Sequence, residues 1–212
     1  MLLLLPLILA SWCFYKRNPH MIPVIFTGLI SAVLVCGFRA FFLYSHRVIP
    51  YSFELNMWYL LLRQSLLPVI VLYGVFFLIS KDTISYKIEA LYPLLISFYL
   101  IYLPYTILSG SEKIITTFPL FIKPTLFTVM IFSLGLSAKH IEKTITDKKH
   151  FFAAIWIITA VVSIVFPSVV ETMYILDMSY FLILVLSGIF CATLPILFIL
   201  SRLGVFTVRD KE

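Results

Sequence analysis

Apolar residues in this chain run in long blocks separated by short polar connectors, with no alternation of period two that would suggest strands. A helix needs about 20 apolar residues to cross a hydrocarbon core of roughly 30 Å. Seven blocks approach or meet that length, at about 1–15, 21–44, 57–80, 88–109, 119–138, 151–170 and 180–201. The first is short, since fifteen residues at 1.5 Å each reach only about 22 Å. It must sit in thinned bilayer, start partly unwound, or lie at the interface. It does not read as a cleaved signal. Met1-Leu2-Leu3-Leu4-Leu5 has no basic start, and Trp12 stands before Cys13 where a lipoprotein signal needs a small residue. The pattern predicts an all-α integral membrane protein. It is a bundle of about seven transmembrane helices, or six if 1–15 does not span, in a single domain covering 1–212. No internal repeat or linker divides it.

Composition agrees. Of 212 residues, 62% are hydrophobic and 12% charged, against about 25% charged in soluble domains. So little charge excludes a water-soluble globule, and so much apolar surface excludes disorder. The three cysteines, Cys13, Cys36 and Cys191, lie far apart in apolar blocks and form no Cys-x-x-Cys pair.

The basic residues set an orientation. Connectors after the first, third, fifth and seventh blocks hold eleven lysines and arginines, including Lys81, Lys87, Lys139, Lys143, Lys148 and Lys149. The other connectors hold two, Arg47 and Lys113. Positive residues stay on the cytoplasmic side, so the N-terminus is expected outside and the C-terminus in the cytoplasm. This is the pattern of a multi-pass protein of the plasma (inner) membrane. The net charge of +6 then reports topology and contact with anionic lipid, not nucleic acid. The basic stretch Ala138–His150 reads either as a loop enforcing topology or as a short amphipathic helix on the inner leaflet.

Small residues four apart allow helices to approach closely in lipid. Gly28, Ala32, Cys36 and Ala40 form such a stripe, and the second block is therefore expected to be a central, tightly packed helix. Gly188 and Ala192 form a shorter one. Pro68, Pro93, Pro104, Pro124, Pro167 and Pro195 fall inside blocks, and each removes a helical hydrogen bond. The freed carbonyls need protein or water partners. Tyr92, Tyr99, Tyr102 and Thr106 share a helical face. That face is either an interhelical hydrogen-bonding seam or the polar lining of a cavity.

Three cations lie within blocks: Arg39, Arg63 and Lys123. A cation in the bilayer centre costs at least about 2.5–3.5 kcal/mol. With the orientation above, all three fall in the outer third of the membrane. One reading has them reaching to outer headgroups or pairing with Glu54, Glu112, Glu171 or Asp177 in outer connectors. The other has them converge, with Arg47 and His46, on an anion-binding site. Tyr92, Tyr99 and Tyr102 would line its cavity, and Glu54, Asn56 and Tyr59 would support it. Arginine suits phosphate and carboxylate because its planar fork donates two parallel hydrogen bonds.

Other chemistry is not signalled. There is no phosphate-cradling glycine loop, no Gly-x-Ser-x-Gly elbow and no His-Glu-x-x-His, so no cofactor or metal is expected. No block centre holds Asp or Glu, which argues against a proton- or sodium-driven cation carrier. The balance favours a non-enzymatic transport or accessory subunit that binds an anionic amphiphile or organic anion near the outer leaflet. Its expected partners are membrane lipids, with other membrane subunits as further candidates. The alternatives are an enzyme on a lipid-linked phosphate, with His46 and Glu54 as its acid–base pair, and a non-catalytic scaffold subunit.

Overall fold

The computed structural model describes residues 21–42, 52–108, 117–147 and 150–202. Among these the chain is helical, with six helices long and apolar enough to cross a membrane. We label them α1 (Ile22–Phe42), α2 (Phe53–Ile79), α3 (Ile84–Leu108), α4 (Phe118–Thr146), α5 (His150–Ile175) and α6 (Tyr180–Arg202). The short block 1–15 lies outside the described residues.

Helix bounds depart from the apolar blocks at their polar ends, because backbone hydrogen bonding continues where the side chains turn polar. α4 runs on to Thr146, so residues 138–146 are its closing turns and not a loop. α5 runs on to Ile175, which takes Glu171 out of the expected connector and into the bundle.

Contacts along the helices give their directions. Arg39 meets Tyr102, while Gly28 meets Leu94 and Ser97, so α1 and α3 run the same way. Tyr102 meets Arg63 and Tyr73 meets Lys87, so α2 opposes α3. Tyr92 lies on Phe132 and Tyr99 on Phe127, so α4 also opposes α3. Lys123 pairs with Glu171, and the His140 ring stacks on Trp156 at 4.4 Å, so α5 opposes α4.

The centre of the bundle is α3 and α4. One apolar core packs α1, α2, α3 and α4 around Leu94, Leu95, Phe98 and Met130. A second packs α4, α5 and α6 around Phe118, Leu126, Val170 and Phe190. α1, expected at the centre, is instead peripheral among the described residues. Val24, Ala32 and Cys36 face inward, while Phe26, Ile30, Val33, Leu34 and Phe38 are exposed among the described residues. The small stripe gives α1 one close neighbour, α3. A helix with a single seam has no reason to be surrounded.

That seam is tight. A Cβ at Gly28 would stand 2.6 Å from the Leu94 carbonyl oxygen and overlap the Ser97 hydroxyl. Gly135 is similar, since a Cβ there would overlap the Tyr92 ring. A Cβ at Gly37 or Gly188 would meet no atom of a packed neighbour within 4 Å among the described residues.

Prolines act in two ways. Pro93, Pro104, Pro167 and Pro195 sit inside continuous helix. Pro68 instead belongs to a stretch of wide π-type turns, Leu61–Leu66 and Pro68–Tyr73. A third wide turn, Phe118–Ile122, opens α4 just before Pro124.

Overpacking a filled contact costs typically about 1–3 kcal/mol. Gly28→Leu is therefore expected to lower the thermal unfolding midpoint in detergent clearly, and Gly188→Leu to leave it nearly unchanged. Equal effects of the two substitutions would contradict the seam between α1 and α3.

Candidate functional site: a cation-capped groove and a buried ion pair

The wide turns of α2 explain how its polar residues are held. Pro68 has no N–H to offer the carbonyl four residues back, Gln64, or five back, Arg63. The Leu67 N–H is committed to the Leu62 carbonyl. A helical carbonyl short of its donor in hydrocarbon needs another partner, and α3 brings two hydroxyls to this turn. The Tyr99 hydroxyl donates to the Gln64 carbonyl at 2.8 Å, and the Tyr102 hydroxyl to the Arg63 carbonyl at 3.0 Å. Tyr99 and Tyr102 are both buried. Their spacing of three residues matches the adjacency of the two acceptors. The tyrosine face and Pro68 are thus two halves of one joint.

Tyr102 also reaches the first cation. The Arg39 Nη1 donates to its hydroxyl at 3.2 Å, and the guanidinium lies over the rings of Tyr102 and Tyr105, 5.7 and 5.6 Å from their centroids. Arg63 lies 5.5 Å over the Tyr59 ring and donates from Nη1 to the Tyr59 hydroxyl. Cation–π contact is worth about 0.5–2 kcal/mol, enough to orient a guanidinium but not to cancel its charge. Among the described residues neither arginine has a carboxylate within ion-pair distance.

Arg39, Arg63 and Tyr102 share one end of a groove of about 850 Å³ between α1 and α2, backed by α3. Its walls are apolar, with Val35 and Phe38 of α1, Leu67 and Val71 of α2, and Phe98 of α3. Ser80, Asp82 and Tyr86 stand at the other end. A cationic cap on a long apolar slot can take an anionic head and an aliphatic tail together.

Lys123 lies elsewhere. It is 2% exposed and pairs at 2.5 Å with Glu171, also 2% exposed. Gln64 donates from Nε2 to the same Glu171 oxygen at 3.0 Å. Next to it, the hydroxyls of Ser65 and Ser168 approach to 3.4 Å where α2 meets α5. The three cations therefore do not share one pocket. Arg39 and Arg63 converge on the groove, and Lys123 is neutralised inside the bundle. Gln64, adjacent to Arg63, joins the two places.

The other expected site residues divide as follows. Tyr59 holds Arg63. Asn56 is buried and donates from Nδ2 to the Ser52 carbonyl at 2.7 Å, within the opening turn of α2. Glu54 is exposed in that turn. Tyr99 supports the backbone of α2 and does not line the groove. Tyr92 packs on Gly135 and points its hydroxyl toward the Phe132 carbonyl, 3.5 Å away on α4. His46 and Arg47 lie outside the described residues.

Sequence reasoning missed Gln64 and the depth of Glu171. The signal for Glu171 was the apolar pattern that resumes after it, Thr172-Met173-Tyr174-Ile175, which marks a helix continuing past the charge. Glu171 enters the bundle four residues before the end of α5, away from the helix centre.

The chain matches no protein-family model, no curated protein and no solved structure.

Removing one partner of a buried ion pair typically costs about 3–5 kcal/mol, whereas replacing both with apolar residues is often neutral. Lys123→Met alone should destabilise strongly, and Lys123→Met with Glu171→Leu should recover most of the loss. Thermal unfolding in detergent measures both. A single variant as stable as the parent would contradict the pair.

Proposed function

We propose that this chain is a membrane-embedded binding subunit, of the transport or accessory kind, for an anionic amphiphile. The head lies between Arg39 and Arg63, and the tail lies in the apolar groove between α1 and α2. The observation that carries this reading is the pair of guanidiniums, lacking carboxylate partners among the described residues, at one end of a single apolar slot. Two such charges need an anion in a low-dielectric setting. The apolar walls favour an amphiphile over a tail-less organic anion.

The positive-inside rule supports a location. Lys81, Lys87, Lys139 and Lys143 cluster at the helix ends opposite Arg39 and Arg63, and that end belongs in the cytoplasm. The cationic end of the groove then faces the outer leaflet, in a multi-pass protein of the plasma membrane. An enzyme on a lipid-linked phosphate would need His46 and Glu54 assembled as an acid–base pair. Glu54 is exposed at the start of α2, and no observation favours that reading.

Native mass spectrometry of the gently solubilised protein tests the proposal. The parent chain should retain anionic lipid. Hydrogen bonds to charged groups contribute about 1.5–3 kcal/mol, so Arg39→Gln and Arg63→Gln should each weaken retention about tenfold or more. Unchanged retention in both variants, with unfolding temperatures near that of the parent, would remove the groove from the protein's function.

A further inference from the structure

The charge count at the site narrows the ligand. This step rests on the anionic-amphiphile reading and specifies its head. Of the three membrane cations, Lys123 is cancelled by Glu171. Gln64 also donates to Oε1 of that carboxylate, and Glu171 is not part of the groove lining. Among the described residues two positive charges, Arg39 and Arg63, remain at the cap. The Tyr102 hydroxyl bridges the Arg39 guanidinium and the Arg63 backbone, accepting from the first and donating to the carbonyl of the second. Like charges this close to apolar walls repel, and a single negative charge would leave one of them uncompensated.

Donor geometry points the same way. Arg63 commits Nη1 to Tyr59, while its Nε is buried with no hydrogen-bond partner among the described residues. The Nε–Nη2 edge of a guanidinium is one that offers two parallel N–H groups to an oxyanion. Among the described residues Arg39 likewise commits only Nη1, to Tyr102. Two arginines with unspent edges suit a group with three acceptor oxygens and close to two charges. A phosphate monoester is such a group, carrying about −1.5 to −2 at pH 7 with a second pKa near 6. A phosphodiester carries one charge and has two free oxygens, and a zwitterionic head brings a competing cation.

We infer that the groove selects a phosphate monoester carried on an apolar tail over phosphodiester and zwitterionic amphiphiles. The same phosphate chemistry could arrive as a lipid headgroup or as free phosphate, and the groove walls assign it to the lipid.

The test uses the full chain in nanodiscs containing phosphatidate, phosphatidylglycerol or phosphatidylcholine diluted in a neutral matrix, with lipid retention read by native mass spectrometry. At pH 7.5 phosphatidate should be retained about tenfold over phosphatidylglycerol. At pH 5, below the second ionisation of the monoester, that preference should shrink toward parity. Arg39→Gln should abolish the preference at pH 7.5 while leaving residual binding of both anionic lipids. Inorganic phosphate at millimolar concentration should displace little phosphatidate. Equal retention of phosphatidate and phosphatidylglycerol at pH 7.5, with phosphatidylcholine excluded, overturns the monoester assignment and leaves the anionic-amphiphile reading standing. Equal retention of all three overturns that reading as well. Full displacement by inorganic phosphate overturns the lipid source. Because the pH arm uses the unmodified protein, a variant that fails to fold does not remove the test.

Discussion

One missing hydrogen bond organises this bundle. Pro68 has no N–H to offer the carbonyl of Arg63 or of Gln64 inside a hydrocarbon-spanning helix. Tyr102 and Tyr99 of α3 donate to them, at 3.0 and 2.8 Å. The wide turns of α2 present those carbonyls to α3. They also bring the side chain of Arg63 to the groove and that of Gln64 toward α5. Wide turns of this kind are frequent at functional sites, and here one orients two polar residues in different directions.

From that joint the polar interior follows in two branches. On one side Tyr102 receives Arg39 from α1, so a cationic cap forms where three helices meet. On the other, Gln64 meets the Lys123–Glu171 pair that fastens α4 to α5. Buried pairs of this type add little net stability over apolar packing, but they are costly to break. The pair therefore acts mainly as a constraint on which helices can be neighbours. The two branches also differ in charge, one balanced and one carrying two uncompensated cations among the described residues. The proposed ligand site lies on the unbalanced branch.

Much of this was legible in the sequence. Block lengths gave the helices, and the spacing of Tyr99 and Tyr102 gave a shared face. Arg39 and Arg63 stood out because a charge in a 20-residue apolar block is costly. Which neighbours they meet was not legible, since that depends on the order of helices around the bundle. Lys123 looked equivalent to the arginines by depth, and only the placement of α5 beside α4 separates it. Glu171 was misplaced because hydropathy marks where apolar residues stop, not where hydrogen bonding stops. The stripe of Gly28, Ala32 and Cys36 correctly marks a close contact. Small residues on one face do not say how many faces are covered, and α1 is peripheral among the described residues.

The proposed site has Arg39 and Arg63 acting on the same bound head, and a double-mutant cycle measures that directly. Retention of anionic lipid would be compared among the parent chain, Arg39→Gln, Arg63→Gln and the double variant. Residues that share one ligand are strongly coupled, and their losses do not add. The predicted result is that either single substitution removes most of the retention and that the second removes little more. Independent, fully additive losses would show two cations serving separate headgroups and would contradict the single site.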